Sequence, residues 1–99
     1  MVNDTQKMSE EQHRQLLFFM LVQQHEQIAL MGLGEVENPE SGKKQKDMSA
    51  AKYAIDTLEM LEQYTRGNIS SEVKEYLTHT LTQLRLKFVD VKKSESGKS

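Results

Sequence analysis

Few residues of this chain combine the types and spacing that chemistry needs. Glu75 and His79 stand four apart and would share one helical face. Asp56, Glu59 and Glu62 descend at three-residue intervals, a pattern that could resemble a metal ladder. Bundle di-metal sites instead place Glu and His three apart and need further inward carboxylates. Carboxylates at three-residue spacing also drift around a helix. Lys52, four before Asp56, gives the spacing of an ordinary surface ion pair.

The remaining candidates are sparser. His13, His25 and His79 are the only histidines, and none has a second histidine one turn away. The chain has no Cys, so thiolate metal sites, disulfides and a Cys nucleophile are excluded. Its serines and threonines fall mainly at helix starts and in tails, outside any Gly-x-Ser-x-Gly context. The glycine-containing segments have neither the Walker nor the dinucleotide spacing. The expectation is no catalytic residue, no metal ligand and no cofactor. A metal protein or enzyme using Glu75, His79 and the carboxylates of the second helix is the alternative.

Charge and hydropathy narrow the partners. The formal net charge of −2 gives no general attraction to phosphates, so nucleic acid is disfavoured. The longest unbroken apolar run, Leu16 to Val22, is seven residues, whereas a membrane span needs about 20. The N-terminus lacks the basic start and apolar core of a signal peptide. Absence of Cys fits a reducing cytoplasm, the compartment expected here. A chain of 99 residues makes one small domain, and one this short gains from association.

The pattern predicts an all-α fold of three helices at about 9–32, 48–66 and 70–91, in a single domain over 9–91. Ser9 and Gln12 form a capping box, with Glu10 and Glu11 at the positive end of the first helix. Gly32 and Gly34 end it. Residues 35–46, with Pro39, Ser41, Gly42 and three lysines, read as an exposed loop with a mobile tip. Ala51, Ala54, Ile55, Leu58, Leu61 and Thr65 share one face of the second helix. Gly67 and Asn68 turn the chain, and Ser70 caps the third helix. Val73, Leu77, Leu81, Leu84, Phe88 and Val91 give that helix a heptad-like stripe. The short turn predicts that helices two and three form an antiparallel hairpin, with helix one packed across them. Residues 1–8 read as a flexible arm and 92–99 as a disordered charged tail.

The first helix is apolar on two sides. Leu17, Met20, Leu21, Ile28 and Met31 share one face; Phe18, Val22, Ala29 and Leu33 lie opposite, flanked by Phe19 and Leu30. A surface helix of a monomer shows one apolar stripe. The second helix repeats this weakly, with Tyr53, Met60 and Tyr64 away from its leucine stripe. The expectation is a homodimer, with Phe18, Phe19, Val22, Ala29, Leu33, Tyr53, Met60 and Tyr64 as the candidate interface. Arg85, at the edge of the third helix's stripe, is expected to pair with a carboxylate, Asp56 being the candidate.

Leu33-Gly34-Glu35, Ile55-Asp56, Leu58, Leu61, Thr65, Gly67-Asn68 and Leu84-Arg85 together resemble a small bacterial family, domain of unknown function 1844. The resemblance covers most of residues 16–89, with Asp56 to Asn68 the more specific part. Ile69 stands where that family has leucine, and Ser70-Ser71-Glu72-Val73 lacks its acidic residue three after the cap. The resemblance implies a helical cytoplasmic protein and supplies no catalytic residues.

Three functions follow as expectations. The first is a non-catalytic interaction module acting as a homodimer, with an unidentified protein as a further partner. The second is the metal protein or enzyme already described. The third is a nucleic-acid accessory factor acting through Lys92, Lys93 and Lys98. A helix-turn-helix is disfavoured, because helix three opens with Glu72 and Glu75 where base-reading residues belong.

Overall fold

The computed structural model describes residues 8–96. Three helices follow one another: α1 (Glu10–Gly32), α2 (Met48–Tyr64) and α3 (Ser71–Ser96). At each start a side chain accepts from one of the free N–H groups. Ser9 Oγ accepts from the Gln12 N–H at 3.0 Å, and the Ser9 N–H donates to Gln12 Oε1 at 3.0 Å, closing the capping box. Asp47 Oδ1 accepts from the Ala50 N–H at 3.1 Å, and Ser70 Oγ from the Val73 N–H at 3.3 Å.

The ends differ from the sequence reading in two places. α2 stops at Tyr64, short of Arg66, because Thr65 leaves helical geometry at φ −101° and ψ 4°. Its hydroxyl donates to the Leu61 carbonyl at 2.6 Å, and Gly67 at φ +83° completes the turn. α3 runs through Lys92 to Ser96, so this part of the expected tail is helical. Side-chain contacts hold it: Lys46 meets Glu95 at 3.3 Å, and Lys92 Nζ lies 5.9 Å from the Phe88 ring centroid. The rest of that tail, 97–99 with Lys98, lies outside the described residues, as do residues 1–7 of the arm.

The loop from 35 to 46 is largely exposed but folded on itself. Asn38 and Lys43 form an isolated antiparallel bridge, and the Glu40 N–H donates to Asn38 Oδ1 at 2.8 Å. Glu35 reaches Lys87 at 3.6 Å, tying the loop to α3.

The core is built from Val22 and Ala29 of α1, Ala54, Ile55 and Leu58 of α2, and Leu77, Leu81 and Leu84 of α3. Leu58, Leu77 and Leu81 have no exposed surface. α1 packs most extensively on α2 and also touches α3. Small residues permit the first contact. A Cβ on Gly32 would lie 2.6 Å from the Asp47 carbonyl oxygen and 2.8 Å from the Ala51 nitrogen. Ala29 and Ala51 are likewise fully buried. Phe19 meets Tyr76 edge to face at 5.1 Å between centroids, joining α1 to α3.

Candidate interaction surface

The core decides which side of α1 is left over. Val22, Ala29 and Leu33 are buried within one chain, so they are core residues and cannot also form a seam between chains. Phe18 is half-buried against the same core, and Phe19 is half-buried with its ring on Tyr76. These five are the residues that the expected interface drew from α1 and its C-cap. The physical reason for the reversal is size: the face carrying Ala29 and Gly32 admits α2 closely, and the face carrying Leu17 and Met20 does not.

The opposite face is the exposed one. Leu17 is 51% exposed and Met20 45%, with Leu16 and Leu21 also exposed. At about 100° per residue, Leu17, Met20 and Met31 lie within about 40° of the direction opposite Val22. On α2, Tyr53, Met60 and Tyr64 are exposed as expected, Tyr64 at 80%. The expected interface omits all four exposed residues of α1: Leu17, Met20 and Leu21 stand on the face opposite the one chosen, and Leu16 falls between the two faces on the wheel.

The α1 part of this surface is also free of charge. Between Gln15 and Gly34, α1 carries a single ionised residue, Glu26. Glu26 is half-buried on the α3 side, where its field helps raise the Tyr76 phenol. The ionised residues of α2 also turn toward α3. Lys52, Asp56 and Glu59 border a groove against Arg85, Phe88 and Val89, and Glu62 Oε2 accepts from the Thr78 hydroxyl at 3.1 Å. Met60, Tyr53 and Tyr64 lie about 40°, 60° and 80° around α2 from Asp56, whose carboxylate is taken by Lys52. Exposed apolar side chains without interspersed charge are the usual mark of an interaction site.

The three carboxylates of α2 are each bonded to a neighbouring side chain. Arg85 bonds Glu59, not Asp56: its Nε and Nη2 both donate to Glu59 Oε2, at 3.0 and 2.8 Å. Asp56 is turned about 60° further around α2 than Glu59 and pairs with Lys52 at 2.7 Å. That contact raises the Lys52 pKa, chiefly through its hydrogen bond to Asp56. Glu75 and His79 are both exposed, as is His13. His25 places Nδ1 3.0 Å from the Leu21 carbonyl oxygen, one turn back. Among the described residues, no three His, Asp or Glu side chains converge as metal ligands would. The groove between α2 and α3 holds about 310 Å³ above Ile55, Phe88 and Val89, with the two ion pairs at its rim.

No helix among the described residues is long and apolar enough to cross a membrane. The family model described as "Domain of unknown function (DUF1844)" matches residues 15–90. Neither the curated proteins nor the solved structures gave a match to this chain.

Proposed function

The chain belongs to the DUF1844 family, and from that premise we propose that it is a non-catalytic interaction module working as a homodimer. One observation carries the reading. A single chain completes its core and still leaves Leu16, Leu17, Met20, Leu21, Met60 and Tyr64 exposed. A domain that buries its core with one face of α1 has no internal use for a second apolar face.

Within the protomer, α2 and α3 form an antiparallel hairpin in this reading. Its support is the opposite sense of the two cross-links, Glu62 to Thr78 and Glu59 to Arg85. The absence of Cys suits work in a reducing cytoplasm.

Sedimentation equilibrium across the micromolar range tests the proposal, with metal analysis of the same sample. The expected result is a concentration-dependent dimer without stoichiometric metal. A monomer throughout would overturn self-association, and a stoichiometric transition metal would overturn the non-catalytic reading.

A further inference from the structure

We infer that the uncharged face of α1 seats a second copy of this chain, α1 against α1 and antiparallel, about a two-fold axis level with Leu17 and Met20. The inference rests on the self-association proposed above and specifies its geometry.

The first argument is charge. A two-fold interface sets one patch against itself, so every charge on it meets a like charge nearby. Here Leu16, Leu17, Met20, Leu21, Gln24 and Gln27 present none. A partner chosen by charge complementarity, or an anionic membrane surface, would find nothing to read on this face. A self-complementary apolar seam needs nothing more.

The second argument is where exposure concentrates. The four exposed apolar residues of α1 are Leu16, Leu17, Met20 and Leu21, whereas Ile28, Leu30 and Met31 are half-buried. The patch therefore centres between positions 18 and 19. An axis at that level sets Leu17 against Met20 of the partner copy and Leu16 against its Leu21. From Leu16 to Met31 the face runs about 24 Å at 1.5 Å per residue.

The third argument fixes direction. A parallel pair would lay the acidic first turn, Glu10 and Glu11, on its own copy and align the two helix dipoles. The antiparallel pair places Glu10 level with Gln27 of the partner copy, whose neighbouring Glu26 turns to α3 of its own chain, and opposes the dipoles.

The native chain has no cysteine, so single thiols report the geometry directly. In the antiparallel seam, Met20→Cys thiols are offset by about 4.5 Å along the axis, whereas Gln27→Cys thiols are about 25 Å apart. A disulfide needs Cα atoms within roughly 7 Å. Mild oxidation of each full-length variant should crosslink Met20→Cys dimers and leave Gln27→Cys uncrosslinked. Crosslinking of both would mean a parallel seam and would overturn the inference. Crosslinking of neither, with sedimentation still showing dimers, would place the interface elsewhere and also overturn it. A wild-type chain that never dimerises would instead defeat the self-association on which this rests. Leu17→Glu should weaken dimerisation by on the order of 100-fold or more while keeping the wild-type far-UV circular dichroism. A Leu17→Glu protein that dimerises as the wild type does would refute the seam.

Discussion

Replacing Gly32 by Ala tests whether the approach of α1 to α2 determines which face of α1 is buried. Two effects oppose each other. Alanine is favoured over glycine in a helix by roughly 0.5–1 kcal/mol, and this end position should give the lower figure. Against that, the new methyl would lie 2.6 Å from the Asp47 carbonyl oxygen, 2.8 Å from the Ala51 nitrogen and 3.0 Å from the Ala51 Cβ. Two of these neighbours are backbone atoms, and Asp47 is also held by its N–H bond to the Gly32 carbonyl at 2.8 Å. Relief requires the start of α2 to move, and overpacking of this kind costs about 1–3 kcal/mol. The net expectation is a loss of about 1–2 kcal/mol, or a fall in Tm of roughly 4–15 °C for a domain this size. Urea unfolding at one fixed protein concentration measures it, since self-association would add its own term. In a double-mutant cycle, Ala51→Gly should restore little, because it removes the side-chain contact and leaves both backbone contacts. Gly67→Ala is the control: its site is open, but φ is +83°, so any cost there is conformational. A Gly32→Ala protein as stable as the wild type would show that the close contact does not set the helix spacing.

Three further outcomes follow. Leu58→Ala, which empties a fully buried position at the centre of α2, should cost about 2–5 kcal/mol in urea unfolding. Arg85→Met should change stability by less than about 1 kcal/mol, because both partners of its ion pair are well exposed, at 45% and 39%; a larger loss by thermal melting would show that the pair fixes register. Burial, aided by Glu26, raises the Tyr76 pKa above its ordinary 10.0, although hydrogen bonds with Gln23 and Thr80 pull the other way. The folded state then holds this proton after the unfolded chain has released it, so the contribution is present below about pH 10 and is lost as pH rises through the folded value. Tyr76→Phe should reduce that alkaline loss, and an identical stability profile in the two proteins would refute the assignment.

The elements were legible in the sequence because they follow from local chemistry. The Ser9–Gln12 box, the Ser70 cap and the Gly67 turn involve residues within three of one another, and each forms as its pattern indicates. The leucine stripes of α2 and α3 likewise fixed which residues those helices bury, since each had one dominant apolar face. Periodicity also revealed that α1 has two apolar faces.

Which of the two turns inward was decided by tertiary packing. Transfer free energy alone favours burying Leu17 and Met20 as strongly as Val22 and Ala29, so hydrophobicity could not separate the faces. Close packing separates them, because the side carrying Ala29 and Gly32 lets α2 approach until a single Cβ on Gly32 would lie 2.6 Å from the Asp47 carbonyl oxygen. The partner of Arg85 was open for a related reason: Asp56 and Glu59 differ by less than one turn, and only the placement of α3 against α2 selects Glu59. The sequence thus determined three helices and an apolar surplus. Only the packed structure assigned that surplus to the uncharged face of Leu16, Leu17, Met20 and Leu21, by spending Val22, Ala29 and Leu33 on the core.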